Sequence, residues 1–398
     1  MTAQLTSPDL DTSAAPAAPE QPAQVGLRAL FTAHKQWFFG VLLVAVAAVL
    51  PLLNLYIPGV LPGATYTPGA LQLLALCLIY ASLALSYHLL FGVTGLLSFG
   101  HALYFAIGAY GLAILLKYTD LSLPVAAMIA LAIAVVAANV FGAISLRVTG
   151  ISFAMVTLAF GQAGLVLIRR NSKISGGEEG LSLNTENVPD FLVGVMNTRN
   201  LYWLALIAAV VVFLIVAWFE HSRAGHAARA VKENELRVRV IGLQPYAVKL
   251  LVVVAASTLA ALIGMVYLLL QSGVTPRATS SDFTLTILVI VVLGGVGSKW
   301  GAVLGGVIYT LLDQRLTALA SSHAIDSLPA VLRVPLSEPL FILGTLFILV
   351  VIFLPGGLTG ITARIGGKGS GESVHAPAAA SVDNGSEAPS SQDSAPKA

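Results

Sequence analysis

The chain has 398 residues, 57% hydrophobic and 10% charged, with a mean hydropathy of +0.87 and a formal net charge of +2. That hydropathy is far above what a soluble core needs, and the basic residues form no aromatic-interleaved patch, so no nucleic-acid partner is expected. The single cysteine, Cys77, excludes a disulfide framework, a thiolate metal cluster and a CxxC redox pair, and reads as a small packing residue in an apolar run.

Residues 1–26 are rich in Ala, Pro, Ser, Thr and Gln and carry Asp9, Asp11 and Glu20. They match neither a secretory signal nor an Arg-rich transit peptide and read as a disordered tail, as does the Gly/Ser/Ala/Pro segment 366–398. Between them, residues 27–365 are expected to form one membrane domain: an all-α, polytopic helical bundle of about eight to ten spans, since a bilayer core takes about 20 apolar residues per helix. The stretches that qualify are Trp37–Tyr56, Leu71–Leu90, Leu96–Lys117, Leu123–Leu146, Ile151–Ile168, Tyr202–Phe219, Tyr246–Leu270, Phe283–Gly297, Ala302–Leu319 and Leu340–Leu354. With Arg28 and Lys35 in the cytoplasm, parity returns Glu220–Pro245 and Lys299 to that side. Asn171–Asn200 and Ser321–Glu338 then fall outside, and Arg169, Arg170 and Lys173 run against the positive-inside rule.

In chain order, the first unusual segment is FGVTGLLSFGHALYFAIGAYG, starting at Phe91. It places glycines at membrane depth beside Thr94, Ser98, His101 and Tyr104. Two readings fit: a broken or re-entrant element lining a pathway, or a helix whose small residues admit close neighbours. Gly150–Gln162, GISFAMVTLAFGQ, adds Ser152, Thr157 and Gln162, uncharged groups suited either to a polar solute's path or to interhelical hydrogen bonds. SGGEEGL, from Ser175 to Leu181, is a glycine turn with Glu178 and Glu179.

Ala224–Gly242, AGHAARAVKENELRVRVIG, is a charged segment between two apolar ones, expected to be a cytoplasmic helix that docks against a soluble protein. Gln271–Asp282 is a polar outward loop, and Leu293–Gly306, LGGVGSKWGAVLGG, spaces Gly297, Gly301 and Gly305 by four, one packing face if helical. That glycine run fails the phosphate-loop pattern, because Lys299, Trp300 and Gly301 stand where Gly, Lys and Ser/Thr are required. Lys249, Asp313 and Arg315 lie near span ends, whereas proton-coupled transport wants carboxylates deep in the bilayer. With no HExxH motif and no nucleophile–base pair, neither catalysis nor a cofactor is expected.

Five segments, GVTGLLSFGHALYFAIGAY, GISFAMVTLAFGQ, SGGEEGL, SRAGHAARAVKENELRVRVIG and GGVGSKWGAVLGG, together resemble a known family in order and spacing. That family is the inner-membrane permease subunits of bacterial ABC importers for branched-chain amino acids, and the likeness covers roughly Ala70 to Gly360. The chain is similar to the larger permease of such pairs, although Lys232 stands where the family more often has Arg. The resemblance implies a second homologous permease, two cytoplasmic ATPases and an extracytoplasmic binding protein. It also makes 220–245 a coupling loop, with Arg229, Lys232, Glu233, Asn234, Glu235 and Gly242 at the ATPase contact. Urea, a short amide or another amino acid remains an alternative solute, and a stand-alone secondary transporter a more distant one.

Overall fold

The computed structural model describes residues 40–55, 62–320, 339–353 and 356–360; both expected tails and the Ser321–Glu338 loop lie outside them. The architecture is helical. In order come α1 (Gly40–Leu52), α2 (Pro68–His88), α3 (His101–Tyr118), α4 (Leu123–Ser145), α5 (Ile151–Arg170) and the single turn α6 (Ser172–Ser175). They are followed by α7 (Thr198–His221), α8 (Arg223–Glu233), α9 (Glu235–Val240), α10 (Pro245–Gln271), α11 (Ser281–Gly294), α12 (Lys299–Ala320) and α13 (Pro339–Phe353). Long apolar runs become helices here because a backbone in lipid must satisfy its own hydrogen bonds. Prolines in the first turn start α2, α4 and α10, where the missing N–H has no partner to lose.

Among the described residues, six helices are long and apolar enough to cross a membrane: α2 through Val93, α3, α4, α5, α7 with its preceding turn, and α10. The stretches expected as two separate crossings, Phe283–Gly297 and Ala302–Leu319, are α11 and α12, a pair bent by 118° at a short break. That geometry is a broken span or a re-entrant hairpin. Gly297 lies in this break with φ +94°, so it shares no helical face with Gly301 and Gly305. Those two glycines press α12 onto the carbonyls of Gly294 and Ile290 in α11.

Hydrogen bonds sort the helix ends into two sets. At one end Tyr246 Oη donates to the carbonyl of Ala143 at 2.9 Å, and His88, Glu220 and Lys299 converge. At the other, Gln72 bonds Gln271, and β1 (Leu181–Ser182) pairs antiparallel with β2 (Gly273–Val274). This short ladder joins the SGGEEGL turn to the Gln271–Asp282 loop. Arg169, at that same end, faces Glu178 at 3.4 Å, so one of the three cations that run against the positive-inside rule has an acidic neighbour.

The core is built around α2, whose apolar window is 83% buried, and around the α3–α10 crossing. By contrast α4 and α5 bury only 22% and 28%, which leaves their outer faces to lipid or to another chain. Gly108 and Gly264 set the α3–α10 distance: a Cβ on Gly108 would run into the Ala261 carbonyl, and one on Gly264 into that of Phe105.

Candidate coupling and pathway site

The glycine-rich segment after Phe91 is broken, as the first of its two readings expects. The end of α2 widens into a π turn over Leu89–Val93, a form that recurs at functional sites because its wider ring leaves backbone groups less well paired. Residues 94–100 then fold back along α2 without helix. Leu96 N donates to the Leu90 carbonyl at 2.9 Å, Thr94 Oγ1 to that of Leu89 at 2.8 Å, and Tyr87 Oη to that of Ser98 at 3.0 Å. The first N–H groups of α3 have no helical partner, so neighbours supply them. Ala102 N donates to Thr284 Oγ1 at 3.1 Å, and Phe99 N, just before the helix, to Thr157 Oγ1 at 3.1 Å. Gly100 rests on the Thr157 carbonyl, where a Cβ would overlap it.

The pathway candidates divide into two groups. Thr94, Ser98, His101, Tyr104 and Thr157 are buried. The hydroxyl proton of Ser86 goes to the Leu83 carbonyl at 2.7 Å, so His101 Nε2, 2.9 Å from Ser86 Oγ, is the donor of that pair. The His101 ring also packs edge-on to Tyr87, with centroids 5.2 Å apart. Ser98, Tyr104 and Thr157 line a void of about 10 Å³ together with Ser145 and Ser257, which the sequence did not flag. That is room for a single water, not an amino acid. Ser152 and Gln162 instead lie on the exposed face of α5, where Gln162 Nε2 donates to Ser281 Oγ of α11.

The charged segment expected as one helix is two. Asn234, at φ −159° and ψ 102°, ends α8 and caps α9, its Oδ1 accepting from Arg237 N at 3.0 Å. Ser222 caps α8 likewise, accepting from Gly225 N at 3.2 Å. Four of the six residues expected at the coupling loop carry internal side-chain contacts in this structure. Lys232 Nζ donates to the Gly92 carbonyl at 2.8 Å, holding the π turn of α2. Arg229 Nη2 lies 3.7 Å from Glu220, Glu235 pairs with Lys249 at 2.6 Å and Arg239 at 3.7 Å, and Asn234 is the cap. Glu233 and Gly242 are exposed, and Gly242 turns the chain toward α10 at φ +85°.

Glu220 is the residue that sequence reasoning missed. Its side chain is 7% exposed at the end of α7, with Oε1 2.8 Å from His88 Nε2 and Oε2 3.3 Å from Lys299 Nζ. One carboxylate therefore ties α7 to the end of α2, to the break before α12 and, through Arg229, to α8. A buried charge of this kind is tolerated only when paired and hydrogen-bonded. A carboxylate directly before a capped cationic helix was the available signal; its distant partners were not.

Similarity to known proteins agrees with this layout. The family described as branched-chain amino acid transport system / permease component matches residues 69–355. Over 324 residues the chain is 27% identical to the high-affinity branched-chain amino acid transport system permease protein LivM of Escherichia coli K12, covering 74% of this chain and 71% of that one. It is 24% identical over 314 residues to a probable LivM of Methanocaldococcus jannaschii (70% and 90% covered) and 22% identical over 304 residues to LivH of E. coli K12 (71% and 91%). A match over most of the chain, on a multi-pass helical bundle with a broken glycine-rich element, places this protein in the branched-chain amino acid transport permease family.

Proposed function

We propose that this chain is one half of the translocation path of an ABC importer for branched-chain amino acids, in the cytoplasmic membrane of a bacterium. A second, homologous permease, two cytoplasmic ATPases and an extracytoplasmic binding protein complete it. The observation that carries the coupling is the Lys232–Gly92 bond, which fastens α8 to the π turn leading into the broken segment. A partner that moves α8 pulls on that turn and, through Glu220, on α2, α7 and α12. The two ATPase states need only bind α8 and α9 with different affinity for hydrolysis and transport to be linked.

The surface left for the ATPase is Glu233 together with Leu236 and Val240 of α9 and Ile241 just after it, exposed by 70%, 86% and 71%. An apolar turn in cytoplasmic water, rimmed by charge, suits a groove on a soluble protein. The solute path belongs at the interface with the second permease. The interior void is too small, whereas the outer face of α5 presents Ser152 and Gln162; on the outer face of α4, among Met128, Ile133 and Val136, the Asn139 amide is turned back onto the Val135 carbonyl. Glu233→Lys is expected to abolish ATP-driven uptake while the protein inserts normally, because it inverts a docking charge that makes no contact with the bundle. Full transport by correctly inserted mutant protein, measured with labelled leucine, contradicts the docking site.

A further inference from the structure

We infer that the groove between α1, α2, α7 and α12 is a binding site for an anionic phospholipid. Its volume is about 510 Å³, within the roughly 300–1,000 Å³ of small-molecule sites. The walls are apolar along their length, with Val44, Leu85, Phe213 and Val303 among them. Ser82, on the wall, spends its hydroxyl proton on the Leu78 carbonyl at 2.6 Å. Along those walls a polar headgroup would find no partner, so they suit hydrocarbon. Val41 and Leu214 on its lining are 65% and 44% exposed, so it communicates with the outer surface that spans present to the bilayer.

Polarity is confined to one end. His221, Lys299 and Trp300 line the groove there, at the level of Glu220 and α8. Trp300 packs on Phe213 at 4.9 Å between centroids and carries the amphipathic ring expected at a membrane–water boundary. Glu220 supplies one negative charge, shared between Lys299 on the groove's lining and Arg229 of α8 behind it, so Lys299 is not fully neutralised by its carboxylate. Lys299 directs one of its three ammonium donors at Glu220 and has others for a phosphate. An acyl chain along the apolar walls with a phosphate at Lys299 and His221 satisfies both chemistries, and basic pockets between helices on the cytoplasmic side select anionic headgroups. The occupant would then share Lys299 with the Glu220 cluster, making anionic lipid a modulator of coupling.

Native mass spectrometry of the full-length protein within its purified transporter, stripped of lipid and offered phosphatidylglycerol or phosphatidylcholine, tests this. Retention of one phosphatidylglycerol is expected, favoured over phosphatidylcholine by about fivefold, the factor one lysine contributes near an anionic lipid surface. Lys299→Gln should remove that preference. Ala209→Phe, which fills the groove away from the Glu220 cluster, should remove bound lipid of either kind. Equal retention of the two lipids, no retained lipid, or undiminished retention by the Ala209→Phe protein each overturns the site. Since binding is read without transport, failure here leaves the permease assignment untouched.

Discussion

Glu220→Ala is expected to lower leucine uptake per inserted molecule by tenfold or more while the proposed ATPase partners continue to hydrolyse ATP. The substitution leaves His88 and Lys299, whose side chains are 1% and 19% exposed, without their carboxylate. Breaking a buried pair from one side costs about 3–5 kcal/mol, because the surviving charge stays desolvated. Arg229 is nearly half exposed, and losing its contact adds little. Glu220→Gln should be milder, since an amide oxygen still accepts from His88 but cannot neutralise Lys299. Adding Lys299→Met to that background removes the orphaned cation, and residues in one such network couple by about 0.5–3 kcal/mol. A purely structural cluster would lower the melting temperature and leave ATP consumed per leucine unchanged. A coupling cluster raises that ratio, and the ratio decides between them.

The second large effect belongs to the α3–α10 crossing. Gly264→Leu is expected to abolish recovery of folded protein, because its side chain would have to occupy the space of the Phe105 carbonyl and the backbone nitrogen of Ala109. Even Gly264→Ala should cost about 1–3 kcal/mol, the usual range for forcing extra volume into a packed interior. Gly108→Leu, on the other helix of the same contact, should behave alike. Gly344→Ala is the control: nothing lies within 4 Å of the Cβ it would add. Its melting temperature in detergent should match the parent or exceed it, since alanine is the better helix former. A Gly264→Leu protein as stable as that control would show that the two helices do not meet at these glycines.

Much of the bundle was legible in the chain because a membrane helix announces itself by composition alone. Tyr246–Leu270 became Pro245–Gln271, shifts of the size expected at frayed ends, and Phe283–Gly297 became Ser281–Gly294, stopping short at the glycine break before α12. The bend between α11 and α12 was not legible, since hydropathy reports whether a segment suits lipid and not the angle it makes with the next. The Asn234 break was readable in principle: Asn followed by Glu235 is an N-cap signature, and the surrounding charges drew attention from it. Glu220 was beyond local reasoning. It reads as the first residue of a solvated loop, and its partners His88 and Lys299 stand 132 and 79 positions away. Only the packing of α2, α7 and α12 brings them together. The same holds for Ser145 and Ser257, ordinary small polar residues until the fold gathers them beside Ser98 and Thr157.

The assignment itself is tested most directly by uptake of labelled leucine and labelled urea in cells with and without this gene, each challenged by unlabelled competitors. Loss of leucine uptake alone, restored when the gene is returned, is the expected result. Unchanged leucine uptake in cells shown to express the protein, with urea uptake lost instead, would contradict the branched-chain amino acid reading.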